Sequence, residues 1–396
     1  MNNLFSINHL KLLFLVCLTL PLFTRVNNII LGIFILYSFY SAYKNKIKLN
    51  YKSIKRFLPV LIFFLLALLA SLNNLGSDFF KYIERNLSFL LIPFALLIFK
   101  KDKSKLIKYA FWGLIIGCVL ALIICYLNAF YEIYTFNEPL SYFLRWRHLS
   151  HRFTNVAGTD PAYLGLFICA SSFYLLFKER KINNTFKIII LIFFFFGLLQ
   201  LASRVAIFIY FFTFLLFILS LVKTSFKFAL AGIFLILFTS TIYFTKGSSY
   251  YKERFFSYNS ITEDSRFDRL KVSLDIFIDN PIFGAGFQNI DNKRIKKYRE
   301  YGDILAAEKG YNAHNQLLEY LSINGIIGGL IYISVFGLLV FKCIKTRNYL
   351  FLFVVISFFV ANLTESMMVR IKGIEYFSIF ISLFLLNSKN DSISKT

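Results

Sequence analysis

Acidic side chains are scarce in this 396-residue chain: 21 Asp and Glu stand against 44 Lys and Arg, a formal charge of +23. Charge of either sign is scarce too, at 16% of residues, while 58% are hydrophobic. That balance excludes an ordinary soluble domain, in which about a quarter of residues carry charge. The five cysteines (Cys17, Cys118, Cys125, Cys169, Cys343) all fall in or at the ends of apolar runs. They lack metal-ligand spacing and read as small buried apolar residues, which excludes a disulfide framework. No cleavage site of small residues follows the first apolar run, Leu10 to Phe23, so that run is expected to remain a helix. The short alternating segments of a membrane β-barrel are missing. So are an internal repeat and the paired broken helices with midplane charges that mark many secondary transporters.

What is present is a succession of apolar runs of membrane-spanning length, from end to end. Backbone in lipid must satisfy its own hydrogen bonds, so the fold class is an all-α polytopic membrane protein. About twelve helices are expected, over residues 8–24, 28–43, 57–72, 87–99, 107–128, 161–177, 186–201, 205–222, 228–245, 316–341, 349–362 and 374–387. Lysine-rich clusters fall on alternate loops: Lys44 to Arg56, Lys100 to Lys108, Lys178 to Lys187, Lys223 with Lys227, and Lys342 to Arg347. Such clusters mark the cytoplasmic side, which also puts both termini inside. The excess charge therefore reads as topology and contact with anionic membrane lipids, with no nucleic-acid partner. The whole chain, 1–396, is expected to form one integral-membrane domain. Two outer loops are long. Residues 129–160 are rich in aromatics and carry Arg145, Trp146, Arg147, His148, His151 and Arg152. Residues 246–315 form the largest outer piece, mixing acids and bases like a folded element. Within it, Phe267, Leu270, Leu274 and Phe277 have helical spacing, Asp264 or Ser265 can cap the start, and Asn280-Pro281 ends the helix. Gly284-Ala285-Gly286 reads as a turn, and 292–300 as a second, basic helix.

The residues that offer chemistry gather at the outer mouths of the helices. Histidine is rare (His9, His148, His151, His314), and His314 stands where the long loop meets the helix from 316. A helix N-terminus and nearby cations favour neutral imidazole there, which can accept a proton from a hydroxyl. An interfacial histidine that merely anchors the helix is the plainer reading. Arg204 follows Ser203 in a tight outer turn, where it either snorkels or clamps a phosphate. Arg266 and Arg269 share a helix face, with Asp268 and Asp264 as candidate partners. Arg152 and Arg85 precede apolar helices on the outer side. Arginines are disfavoured on short outer loops, so their recurrence there suits a membrane-embedded anionic ligand such as a lipid diphosphate. Glu365 is placed to orient His314 or to pair with an arginine, the pairing being the simpler reading.

The block from Arg266 to about Gly329 resembles the C-terminal region shared by O-antigen ligases and O-antigen polymerases. Three elements carry the resemblance in order: Arg266 with Leu270; Asn280-Pro281-Ile282-Phe283-Gly284-Ala285-Gly286; and His314-Asn315 followed after nine residues by Gly325 and Gly328. Ala202-Ser203-Arg204 resembles the Ser-Arg turn of the same family, although Val205 follows where a small residue is commoner. The segment around Asp160-Pro161 fits only loosely. The resemblance implies a glycosyltransferase in the bacterial inner membrane, with its active site on the periplasmic face. The donor it implies is an undecaprenyl-diphosphate-linked glycan. The acceptor is a hydroxyl of the lipid A core or of another glycan or protein, or a second lipid-linked repeat unit in a polymerase. His314 would be the catalytic base, supported by Asn315 and Glu365, and Arg204, Arg266, Arg152, Arg269 and Arg85 would hold the diphosphate. No Asp/Glu pair with metal spacing is present, so neither a metal nor another cofactor is expected.

Overall fold

The computed structural model describes residues 2–47, 50–73, 76, 78–98, 103–221 and 265–387. Among them it is helical, without a strand. In chain order the main helices are α1 (Asn2–Thr19), α2 (Thr24–Lys44), α3 (Leu58–Leu72), α4 (Phe79–Asn86), α5 (Ser88–Leu97), α6 (Lys103–Thr135), α7 (His151–Thr154) and α8 (Pro161–Phe177). There follow α9 (Asn184–Leu201), α10 (Arg204–Leu221), α11 (Ser265–Asp279), α12 (Gly286–Glu300), α13 (Ile304–Lys309), α14 (Gln316–Lys345), α15 (Tyr349–Asn362) and α16 (Ile371–Asn387). Five of these (α2, α6, α9, α10 and α14) are long and apolar enough to cross a membrane. The bent pair His151–Ala157 and Pro161–Phe177, turned by 76°, makes a sixth if it counts as one span. The expected helix at 228–245 lies outside the described residues. Short helices at Phe79–Asn86, His151–Thr154 and Ile304–Lys309 were not separated from loop by sequence pattern, because four to eight residues are too few to show a period.

The chain divides into two compact units. The first comprises Met1–Val16, Asn27–Trp112 and Ser265–Thr396. Its membrane portion packs α16 against α5 and α14 against α15, with Phe63, Phe336, Phe358 and Phe377 meeting as stacked and edge-on rings. Asn27 on α2 donates to Glu375 on α16 at 2.5 Å, so this buried carboxyl group within the bundle is hydrogen-bonded, as burial of a polar group requires. The polar helices α11, α12 and α13 form no separate ball. Val272, Ile276, Ile290, Tyr298 and Ala306 share one core with Ala70 of α3 and Ile323 of α14. Each buried Val or Ile there contributes about 1.5–3 kcal/mol.

One interlock fixes this arrangement. Helix α14 breaks at Gly325, which has φ 65° and ψ −159°. The Asn280–Gly286 turn fills the break. Ile326 N–H donates to Pro281 O at 2.8 Å, and Ala285 N–H donates to Ser322 O at 2.9 Å. A Cβ on Gly284 would strike the Ile323 carbonyl, and one on Gly325 would strike the Ile282 carbonyl. Both glycines also have positive φ, so the sequence has no other residue to offer at either point.

The second unit comprises Cys17–Val26 and Gly113–Asp264. Here α8 packs on α9 and α10. Gly165 of α8 lies against Ala206 of α10 so closely that a Cβ would fall 2.6 Å from the Ala206 side chain. Gln200, near the end of α9, donates to Phe143 O at 2.9 Å and to His148 O at 3.2 Å, and its own carbonyl accepts from Ser150 N. One buried amide thus pins the aromatic segment from Phe143 to Ser150. His148 is buried between Glu132 and Glu138, at 3.6 and 3.4 Å.

Candidate active site

The site in the first unit grows from the residues that start α14. Asn315 is its N-cap: its side-chain oxygen accepts from Leu318 N at 3.0 Å. Its amide nitrogen donates to Leu363 O at 3.2 Å, tying the start of α14 to the segment after α15. Gln316 repeats the tie, accepting from Met368 N at 2.6 Å. These two straps bring His314 and Glu365 together across 51 positions of sequence. His314 itself has φ 48°, a left-handed conformation that costs a non-glycine residue about 1–2 kcal/mol. Two contacts hold that conformation. His314 N donates to Asn312 Oδ1 at 3.0 Å, and the preceding Ala313 N donates to Glu319 Oε2 at 3.1 Å.

The ring then has defined partners on both nitrogens. His314 Nδ1 is 2.8 Å from Glu365 Oε2, and Nε2 is 3.2 Å from Arg269 Nη1. A guanidinium can only donate, so Nε2 must be the acceptor and Nδ1 must carry the proton that it donates to Glu365. The arrangement thus selects neutral imidazole in one tautomer, with its basic lone pair on the Arg269 side. Arg269, 9% exposed, is held on the Tyr311 ring with its guanidinium carbon 4.1 Å from the centroid. The His314 and Glu365 side chains are 19% and 30% exposed, so the pair is reachable.

A second ring of residues supports the first. Arg294 of α12 and Glu319 of α14 form a buried ion pair at 2.8 Å, and Arg294 also donates to Ser322 Oγ at 3.3 Å. Tyr298 donates to Tyr311 O at 3.1 Å. Burial pushes its phenol up to about 12, so it stays a neutral donor at any physiological pH. Sequence reasoning missed Arg294 and Glu319. The signal was there: Ile290, Arg294 and Tyr298 recur every four residues on one helix face, and an arginine on a buried stripe requires a buried acid.

The remaining expected residues fall as follows. Arg266 lies one turn before Arg269 on α11, and its side chain is outside what the structure describes. Arg85, on α4, lines a cleft with Glu319 and Gln316 that His314 does not line. Its guanidinium lies over the rings of Tyr82 and Phe287, and burial lowers its basicity from the ordinary arginine value. Arg204 and Arg152 belong to the second unit. Arg204 opens α10 directly after Ala202 and Ser203, and Ala202 is a buried residue with φ 49° that ends α9. Arg152 is exposed on α7, beside His151, which is 3.5 Å from Asp160. Among the described residues no cluster of three or more His, Cys, Asp or Glu side chains is arranged to hold a metal.

No curated protein matches the chain. Residues 188–333 match the family described as O-antigen ligase, and this stretch contains Arg204, Arg269, the interlocked Asn280–Gly286 turn, His314 and the break of α14 at Gly325. Through that region the chain is similar to the O-antigen ligase family, and its apolar helices fit a multi-pass membrane protein of that kind.

Proposed function

We propose that the protein is an O-antigen ligase that moves a glycan from undecaprenyl diphosphate to a hydroxyl of the lipid A core, on the periplasmic face of the inner membrane. The observation that carries this reading is the neutral His314 ring, fixed between Glu365 and Arg269. An acceptor hydroxyl that displaces Arg269 from Nε2 finds a lone pair aimed at its proton. The hydroxyl oxygen attacks the anomeric carbon as the proton passes to Nε2. The bond from that carbon to the diphosphate breaks, the diphosphate leaves with the electron pair, and the anomeric configuration inverts. Glu365 then faces an imidazolium and stabilises it.

The guanidinium of Arg269, displaced from Nε2, can meet charge developing on the leaving diphosphate. Arg204, Arg266 and Arg152 are assigned to the diphosphate by the resemblance. A clamped diphosphate is already a good leaving group, so the reading needs no metal.

A deletion strain carrying wild type or His314→Ala, examined by gel for its surface glycolipid, tests the reading. Wild type should restore the ladder, and His314→Ala should leave core bands alone, with long polymer on the lipid carrier. Core carrying a single repeat unit would make the protein a polymerase instead. A ladder unchanged by His314→Ala would remove that residue from the chemistry.

A further inference from the structure

The polar helices α11 to α13 carry an apolar surface that their shared core does not use. On α11, Phe267, Leu274 and Ile278 are exposed and recur at helical spacing, turned away from the buried Val272 and Ile276. The stripe runs on into the turn that follows, where Ile282 and Phe283 are 57% and 67% exposed. A contiguous apolar patch of this kind marks a contact with protein or with membrane.

Its place against α14 says which. Ile326 N–H donates to Pro281 O at 2.8 Å, so the turn lies level with Ile326. From there Ile326, Leu330, Ile333 and Leu338 continue as an exposed apolar stripe down α14, a helix long and apolar enough to cross a membrane. Ile326 to Lys345 is about 20 residues, or about 30 Å, the thickness of a bilayer's hydrocarbon core. With Lys342 and Lys345 at one boundary of that core, Ile326 falls at the other, and Ile282 and Phe283 fall with it. The polar groups of the turn suit a boundary. Asp279 is paired with Lys297 at 2.9 Å, and Asn280 Oδ1 accepts from Lys293 at 2.8 Å. Lys271, the charged member of the α11 stripe, lies two turns before Ile278 with its ammonium 4.6 Å from the centroid of the Tyr301 ring. A long lysine stem can lie along apolar surface while its charge reaches the headgroups.

We propose that the end of α11 and the turn after it form an anchor that dips into the bilayer, with Leu274, Ile278, Ile282 and Phe283 in the hydrocarbon at the His314 end of α14. A segment that its sequence places in an outer loop is then an interfacial element, held by its apolar side. Under the glycosyltransferase reading, a helix fixed at this boundary keeps Arg269, on its inward face, within reach of a diphosphate carried on a lipid. The anchor itself does not depend on that reading.

Nitroxide labels test it, placed one at a time on Ile278→Cys and Phe283→Cys in the full chain, reconstituted into vesicles of phosphatidylethanolamine and phosphatidylglycerol. The five native cysteines are buried and add little background. Oxygen concentrates in lipid and a neutral nickel chelate in water, so the two collision rates report what surrounds each label. Leu338→Cys, on the exposed stripe of α14, sets the lipid value, and Lys309→Cys, exposed on α13, sets the water value. Oxygen collisions should exceed nickel collisions at both Ile278 and Phe283, as at Leu338. Nickel exceeding oxygen at either label would put that residue in water and overturn the anchor. A label shielded from both reagents would put a protein surface over it, a second copy of the chain included, and would overturn the anchor as well. The labels report without turnover, so failure of the anchor and failure of the glycosyltransferase reading give different results.

Discussion

At the scale of single residues, the proposed chemistry rests on which nitrogen of His314 carries the proton. Glu365 sets this, so its substitutions should separate geometry from charge. Glu365→Gln can still accept from Nδ1 but cannot balance an imidazolium. Its kcat should fall by about 10–100-fold, the scale of one charge-assisted contact, with the donor KM little changed. His314→Ala removes the base and should cost about 100–10,000-fold. Initial rates of glycan transfer in membrane vesicles check both, and a Glu365→Gln enzyme at wild-type rate would reduce that residue to an anchor. His314 was legible in the sequence because histidine is rare in this chain and this one precedes an apolar helix. Glu365 was seen, but its partner was open, since 51 positions separate it from His314 and no local pattern reports a contact between chain segments. Arg269 was visible only as half of a pair with Arg266, and spacing on a helix face cannot say which of two arginines turns inward.

At the scale of elements, the supporting structure is a buried ion pair and a broken helix. Removing one member of the Arg294–Glu319 pair leaves a buried charge and should cost about 3–5 kcal/mol. The double change Arg294→Met with Glu319→Leu should recover most of that stability. It should not recover activity, because Ala313 N loses the acceptor that holds the left-handed turn at His314. Thermal melts set beside transfer rates distinguish the two effects, and recovery of both would make the pair purely structural. Gly325→Ala should destabilise by more than about 1–2 kcal/mol, the cost of left-handed backbone alone, because its Cβ also meets the Ile282 carbonyl. A melt that does not move would contradict the interlock. The long apolar helices and α11 were readable from their apolar runs and spacing, while α12 was read only from residue 292 and begins at Gly286. The break was not, because Gly325 inside an apolar run reads equally well as close packing between helices.

At the scale of the whole molecule, the alternation of lysine clusters makes a directional prediction. Helix α14 has 30 residues, a length of about 45 Å, and ends on Lys342 and Lys345. Lys309, exposed before its start, should face the periplasm, and Lys345, exposed at its end, the cytoplasm. All five native cysteines are buried, so they give little background to thiol labelling. A membrane-impermeant maleimide should label Lys309→Cys in intact spheroplasts and Lys345→Cys only after lysis, and the reverse result would invert the topology.

The break at Gly325 has a consequence for how the molecule is made. In an uninterrupted helix, the Ile326 amide would find its carbonyl four residues back on its own strand. Here it is answered by Pro281, 45 residues earlier in the chain. Until the turn that carries Pro281 has docked, α14 has a bare amide at its break, which costs about 1–3 kcal/mol once buried. Closing of that turn and completion of α14 are therefore one event: neither is satisfied until the other is in place.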